Sequence, residues 1–241
     1  MYFLFSGEGI TDLGSGISAA FLCERDDYLP GPMAIFADQI VESRHKYSPL
    51  DAGGCGYVSE QNLLHRAKEL KIAKKALRLP GKKREKETQY FFNNARILAR
   101  IAKEAATDRQ DEVVAVLFRD SDGTASAGRG LWQDKRKSML DGFDEEGFSK
   151  GVPMIPKPKS EAWLICALKK SPYRGCTALE SRSGNDDAPN PLKGELRKLL
   201  GSTPSREVLC QMVQDKMVDI DRIVMPSFVS FRSRLEYVIG D

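Results

Sequence analysis

The sequence predicts an α/β fold built on a mostly parallel sheet. Short apolar runs at about residues 2–6, 33–41, 113–119 and 152–155 predict four strands, because continuous apolar runs of this length are typical of strands buried on both faces. Stretches with helical periodicity separate these runs, and helices are the usual connections between parallel strands. We therefore expect the sheet to be flanked by helices.

The bulk composition is typical of a soluble globular chain. Of the 241 residues, 41% are hydrophobic and 29% are charged, and the net charge is +3. No apolar run approaches the roughly 18 residues that a membrane helix needs, and the first residues lack the basic leader of a signal peptide. We expect a cytoplasmic protein without a membrane partner, built as one large domain or as a domain with a small lobe.

The five cysteines predict no zinc site. They are widely scattered, no Cys-x-x-Cys spacing occurs, and only two histidines could assist them. Structural zinc sites need four ligands at close spacing, and disulfides are rare in the cytosol. Reduced thiols are expected at Cys23, Cys55, Cys166, Cys176 and Cys210.

A helical hairpin is predicted as an insertion between the second and third strands, at about residues 59–108. Ser59 is a suitable N-cap for a long helix at about 60–79, and Pro80-Gly81 would end it. A second amphipathic helix follows at about 86–107. Apolar side chains recur at helical spacing in both segments, so each helix has one face for the core.

The remaining segments divide the chain into a main domain over residues 1–170 and a helical extension over 171–241 that packs on it. Within the main domain, a loop leading into a helix is predicted at about 15–23, and a glycine-rich loop at 51–56. Further helices are expected at about 132–140, 191–200, 205–217 and 227–239.

Acidic residues follow two of the predicted strands. Glu8 and Asp12 come after the first strand, and Asp120 and Asp122 come after the third. Ligands of parallel α/β sheets bind at the carboxyl ends of the strands, so the four acids would meet if these strands are neighbours. Two carboxylates about 4 Å apart repel by roughly 4 kcal/mol at an effective dielectric near 20. The cluster therefore predicts a bound cation, and oxygen ligands of this kind suit Mg²⁺ or Mn²⁺.

All of these acids except Glu8 also have a simpler structural interpretation. Asp120 and Asp122 belong to an Asp-Ser-Asp-Gly stretch that would suit a turn. Asp12 could begin a helix and stabilise its dipole. Ser160 could be the N-cap of the helix after the fourth strand, with Glu161 in the first turn of that helix.

The order of these motifs resembles the Toprim domain. An apolar strand followed by Glu-Gly-x-x-Asp, and a later strand followed by Asp-x-Asp-Gly, are similar to the two acidic motifs of topoisomerases, bacterial primases, some RNA maturases and overcoming-lysogenization-defect nucleases. The last group, with related small defence-associated proteins, carries a Ser/Glu element before a helix, often with a Trp, and a functional lysine. Here the matching residues are Ser160, Glu161 and Trp163, preceded by Lys157 and Lys159. The resemblance covers about residues 1–170.

The resemblance implies a two-metal nuclease with a Toprim-like catalytic domain. Glu8 would be the key acid, either ligating metal or transferring a proton, and Asp120 would act with it. Lys157 or Lys159 would stabilise charge that develops on the phosphate. Two Mg²⁺ or Mn²⁺ ions would be held by Glu8, Asp12, Asp120, Asp122, Ser160 and Glu161.

A basic segment predicts contact with nucleic acid. Between Arg66 and Lys86 there are ten basic residues and only two acidic ones, an excess that suggests a polyanionic partner. The alternative is a solvated helix face. Arg129 and Lys135, beyond the Asp-x-Asp motif, are better placed to hold a phosphate at the site. The candidate contacts in the basic segment are Lys68, Lys71, Lys75, Arg78, Lys82, Lys83 and Arg84.

The function expected from these features is endonucleolytic cleavage of DNA or RNA such as tRNA. Small proteins of this kind resemble effectors of bacterial anti-phage systems, which are often paired with an ABC-type ATPase. This chain has no Walker motif, so ATP dependence would have to come from such a partner; a homo-oligomer is also compatible. The alternatives are a non-catalytic nucleic-acid- or partner-binding subunit of an ATPase complex, and an enzyme of small-molecule phosphate chemistry.

Overall fold

The computed structural model of the protein describes residues 1–70, 86–121 and 132–240. These residues form an α/β fold with a five-stranded, mostly parallel sheet flanked by helices, as the sequence predicts. The strands are β1 Tyr2–Gly7, β2 Gly14–Gly16, β3 Cys23–Glu24, β4 Tyr28–Pro30, β5 Cys55–Ser59, β6 Val113–Phe118 and β7 Gly151–Met154. The α-helices are α1 Pro32–His45, α2 Glu60–Glu69, α3 Lys86–Arg109, α4 Trp132–Glu145, α5 Ser160–Leu168, α6 Leu192–Leu200, α7 Arg206–Gln214 and α8 Pro226–Ile239.

Strand β1 lies at the centre of the five-stranded sheet, whose order is β3-β5-β1-β6-β7. It pairs in parallel with β5 and β6, and β6 pairs in parallel with β7. The edge strand β3 runs antiparallel to β5, and β2 and β4 form a separate antiparallel pair. Every residue of β1 and of β6 is buried, which explains why both read as continuous apolar runs rather than as alternating ones.

The strand predicted at 33–41 is wrong, because this segment belongs to helix α1. Nine residues of α1 are buried, including a continuous run from Pro32 to Asp38. A helix buried nearly all round loses its polar face, so its sequence cannot be told from that of a buried strand by periodicity. Pro32 occupies the first turn of the helix, where a missing N–H costs nothing.

The strand that replaces it in the sheet, β5, falls partly in the predicted glycine-rich loop. Gly56 is needed within this strand, since a Cβ there would lie 2.0 Å from the hydroxyl oxygen of Tyr2. Glycine in a strand often marks such a close approach. The helix predicted at 15–23 is also wrong, because strands β2 and β3 occupy its two ends.

The other predicted helices are present, with small differences in their bounds. Ser59 caps α2, and its hydroxyl accepts the backbone N–H of Asn62 at 3.1 Å. The second half of the helix predicted at 60–79 lies outside the described residues. The predicted 86–107 and 132–140 correspond to α3 and α4, and the three C-terminal helices are α6, α7 and α8.

Two apolar clusters cover the two faces of the sheet. The first holds Trp163 of α5 and Phe228 and Phe231 of α8. The second lies beneath α3 and α4 and includes Phe91 and Phe143. Burial on both faces fixes the register of the strands, which in turn fixes where their ends meet.

The expectation of reduced thiols is wrong for one pair, because Cys166 and Cys176 form a disulfide. It joins α5 to a 3₁₀ helix at Cys176–Ser181. The pairing depends on how the chain returns to α5, which cysteine spacing alone does not reveal. Cys23, Cys55 and Cys210 are free thiols. None of the described helices is both long enough and apolar enough to cross a membrane.

Candidate active site

The carboxyl ends of β1 and β6 are adjacent, and this positions the two predicted acidic motifs. Gly7 is the register partner of Phe118 in the parallel pair. A Cβ at Gly7 would lie 2.2 Å from the carbonyl oxygen of Phe118. Only glycine therefore allows the two strand ends to approach this closely. Glu8 follows one strand directly, and Asp120 lies two residues beyond the other.

A continuous set of hydrogen bonds links four of the predicted site residues. The backbone N–H of Asp120 donates to Oε1 of Glu8 at 3.1 Å. Oδ1 of Asp120 accepts the backbone N–H of Ser160 at 3.0 Å, and the Ser160 hydroxyl donates to Oδ1 of Asp12. The ends of β1 and β6 and the start of α5 therefore meet at one place.

Asp12 reaches this network from a turn rather than from a helix, so the alternative role at a helix start does not apply. The backbone N–H groups of Asp12 and Leu13 both donate to the carbonyl oxygen of Gly9 at 3.1 Å. Gly9 has a φ of +87°, and a Cβ there would lie 2.6 Å from Oδ2 of Asp12. The turn requires glycine at this position.

Ser160 is not an N-cap, because it is the first residue of α5 and Lys159 occupies the cap position. The capping alternative is therefore wrong. The Ser160 hydroxyl serves Asp12 instead of the end of the helix. The side chain is buried, which keeps the Asp12 carboxylate in a fixed position.

Glu161 is the most unusual carboxylate of the cluster. Its Oε2 is buried and has no hydrogen-bond partner within the described part of the chain. Burial raises the pKa of Glu161, and the nearby Asp12 raises it further. Burial also raises the pKa of Asp12. Both shifts have the sign expected for carboxylates whose burial outweighs the positive charge near them.

The raised pKa of Glu161 predicts a pH-dependent stability. The folded protein holds this proton more tightly than the unfolded chain does, so the free energy of unfolding falls as the pH rises from the ordinary pKa of glutamate through the raised value. We expect Glu161→Gln to stabilise the metal-free protein by about 1 kcal/mol at neutral pH. The gain should vanish below the ordinary pKa, where the wild-type side chain is already protonated in both states.

Urea denaturation in EDTA measures this difference. Glu145→Gln, an exposed change on α4, is the matched control and should leave the stability nearly unchanged at both pH values. A loss of stability in Glu161→Gln at neutral pH would show that the carboxylate is compensated in the folded protein.

Arg119 was not predicted as a site residue, although it directly precedes Asp120. Its Nη2 lies 3.2 Å from Oε2 of Glu8, and its Nη1 lies 3.0 Å from Oε1 of Glu60, the first residue of α2. The guanidinium also stacks over the ring of Tyr90 at 4.0 Å. Arg119 therefore fixes the position of Glu8 and partly neutralises it. A basic residue between a buried strand and an acidic motif is the signal that could have indicated this.

Of the two candidate lysines Lys157 and Lys159, Lys159 is the one whose charge acts on the acidic cluster. Its charge favours the ionised form of both Asp12 and Glu161, opposing the rise in their pKa values. Its Nζ also lies 2.9 Å from Oδ1 of Asp186. Lys157 is half-buried two residues earlier. Lys193 acts on the same two carboxylates in the same direction as Lys159, and sequence reasoning assigned it no role.

The predicted nucleic-acid contacts are only partly described. Lys68 is exposed in the last turn of α2. Lys135 is buried, with its Nζ donating to the carbonyl oxygen of Ser121 at 2.7 Å. Through this contact the Lys135 side chain binds the residue that follows Asp120, and it does not face solvent. Outside the described residues lie Lys71, Lys75, Arg78, Lys82, Lys83, Arg84, Arg129 and the predicted metal ligand Asp122.

An open cleft of about 430 Å³ borders Glu8. Its walls come from the turn after β1, from the segment between β2 and β3, and from the start of α2. Exposed apolar side chains, Ile10 and Ile17, lie along this region. The cleft therefore opens the Glu8 end of the cluster to solvent.

The cluster has the oxygen ligands of a divalent-cation site, but its side chains are not arranged as a complete one. In the ranges 1–70, 86–121 and 132–240, no three His, Cys, Asp or Glu side chains are arranged to hold a metal ion. The donors are nevertheless carboxylate oxygens, which hard cations prefer, and the partnerless Oε2 of Glu161 fits an added positive charge. No protein-family model, curated protein or solved structure matches the chain.

Proposed function

We propose that the protein is a Toprim-type, metal-dependent nuclease that hydrolyses phosphodiester bonds of nucleic acid. The observation that carries this proposal is the hydrogen bond from the Asp120 N–H to Glu8. It joins the two acidic motifs across adjacent parallel strands. The start of α5 adds Ser160 and Glu161 to the same place, so three separate segments supply oxygen donors at one edge of the sheet.

Each side chain of the cluster would have a distinct task. Glu8, Asp12, Asp120 and Glu161 would hold Mg²⁺ or Mn²⁺, with Asp122 as a further candidate ligand. Such ions, when bound in pairs, stabilise the attacking and leaving oxygens of a phosphodiester and lower the pKa of water. Ser160 would orient Asp12, and Arg119 would hold Glu8 in place.

Lys159 is favoured over Lys157 as the lysine that meets the substrate. Its charge acts on Asp12 and Glu161, so a phosphate placed beside these carboxylates would also be within its influence. A lysine ammonium is a suitable point charge for a phosphate. It would stabilise the negative charge that develops on the phosphate during hydrolysis.

The biological setting is part of the same proposal. The substrate would be DNA or a structured RNA such as tRNA, and the protein would act in the cytoplasm as an effector of a bacterial anti-phage system. An ABC-type ATPase would be its partner, and a homo-oligomer is compatible with the fold. These points rest on the resemblance of the sequence motifs to Toprim proteins of defence loci.

The proposed function is tested by incubating the purified protein with supercoiled plasmid and, separately, with total tRNA. We expect cleavage of one polymer in Mg²⁺ or Mn²⁺ and none in EDTA, because without a cation the negative carboxylates would repel the negative phosphate. Gel electrophoresis measures the products. Cleavage that persists in EDTA would contradict a metal-dependent site, whereas binding without cleavage in any cation would favour the non-catalytic subunit.

A further inference from the structure

A loop carboxylate pairs with the lysine that directly precedes α5. Lys159 is 15% exposed, and its Nζ lies 2.9 Å from Oδ1 of Asp186, which is 53% exposed. Asp186 belongs to the segment at residues 182–191 that leads into α6. The pair therefore joins the residue that precedes α5 to an exposed side chain of this loop.

The loop that carries Asp186 is fixed at both of its ends. Nη2 of Arg182 donates to the carbonyl oxygen of Asn190 at 2.6 Å, and Nη1 of the same side chain contacts Glu195 in α6. Within the loop, the N–H of Asp187 donates to Oδ1 of Asn185 at 3.0 Å. These contacts fix the conformation of the loop, and this conformation holds Asp186 against Lys159.

A second lysine, Lys193, lies in the first turn of α6, and α6 packs against α5. Its charge and that of Lys159 both favour ionisation of Asp12 and Glu161. Of these two lysines, Lys159 is fixed in position by its ion pair with Asp186.

Given the proposed nuclease function, on which this step rests, we propose that Asp186 occupies a subsite at Lys159 that binds a backbone phosphate of nucleic acid. The Asp186 carboxylate occupies the place of that phosphate at Lys159 until the polymer binds. Both groups present anionic oxygens to an ammonium. Asp186 is the exposed partner of the pair, and ion pairs open to solvent contribute little to stability, so the phosphate can displace the carboxylate at small cost.

The test is the affinity for a fluorescein-labelled single-stranded oligonucleotide, measured by fluorescence anisotropy in EDTA so that no cleavage occurs. We expect Asp186→Asn to bind about two- to fivefold more tightly than the wild type, because the competing ion pair is lost. Asp187→Asn makes the same change in net charge at the next residue and should bind like the wild type. Lys159→Met should weaken binding, and Asp186→Asn should give no gain in its presence.

Four results would overturn the subsite. Equal gains in Asp186→Asn and Asp187→Asn would mean that only net charge matters, and a gain that survives Lys159→Met would place the phosphate elsewhere. Absence of binding by every variant would remove the subsite altogether. Inorganic phosphate at equal phosphate concentration should compete poorly, and equal competition would assign Lys159 to a free anion. Because the assay needs no catalysis, the expected pattern in a protein that never cuts would retain the subsite and reject only the nuclease.

Discussion

Glu8→Gln lowers the rate of metal-dependent cleavage by about a hundredfold or more, if the acidic cluster is the catalytic site. Glutamine keeps an oxygen that can accept the Asp120 N–H, so the local fold is retained while the negative charge is lost. Removing one preorganised electrostatic contact costs about 10²–10³ in rate, which corresponds to roughly 3–4 kcal/mol. Initial rates on the polymer that the wild type cuts measure the effect.

Glu112→Gln is the matched control for this variant. Glu112 precedes β6 at the opposite end of the sheet, is 62% exposed and pairs with Lys150. Its replacement should leave the cleavage rate within twofold of the wild type. Equal rates in Glu8→Gln and in the wild type would place the activity elsewhere or assign it to a contaminant.

Trp163→Ala should lower the free energy of unfolding by about 3–5 kcal/mol. The side chain is fully buried, and its ring stands edge-on to Phe228 with the centroids 5.0 Å apart and stacks on Phe231 at 6.1 Å. The indole N–H donates to Oγ of Ser227 at 2.8 Å. Truncation leaves a cavity and removes the partner of a buried hydroxyl, and both effects are destabilising.

Urea denaturation followed by circular dichroism measures this loss. Tyr237→Ala removes an aromatic ring that is 77% exposed on the neighbouring helix α8, so its stability should change by less than about 0.5 kcal/mol. A similarly small change for Trp163→Ala would mean that the two apolar segments around α5 and α8 can close over the cavity. Cleavage should fall in Trp163→Ala as well, because α5 also carries Ser160 and Glu161.

The parts of the fold that the sequence predicted well are those whose pattern is local. Strands β1, β6 and β7 are apolar runs bounded by polar residues, and the amphipathic helices show one apolar stripe each. The swap between α1 and β5 was not predictable in this way. Helix α1 is apolar nearly all round because it is enclosed by other elements, while β5 needs Gly56 to admit the Tyr2 hydroxyl. Both features depend on neighbours that are distant in sequence.

The same division holds for the site. Glu8 is expected next to Asp120 from the sequence, because the carboxyl ends of neighbouring parallel strands lie side by side. The interactions of Arg119 with Glu60, and of Lys159 with Asp186, join residues 59 and 27 positions apart. They depend on how α2 and the loop before α6 pack, and the periodicity of the sequence does not predict this packing. The basic segment was identified from its charge alone. The inward direction of Lys135 could not be identified in this way, because it follows from the packing of α4.

The acidic cluster is assembled from segments that are distant in the sequence, and this determines when during synthesis of the chain the site can be complete. The hydrogen bonds that join Glu8 to Asp120 and Asp12 to Ser160 span 112 and 148 positions along the chain. Contacts between such distant residues form late in folding, since long loops must close first. A growing chain on the ribosome would therefore expose Glu8 and Asp12 long before their partners emerge. If the proposed function is correct, the active site would be complete only after α5 is made, and incomplete products would be harmless to the nucleic acid of the cell that makes them.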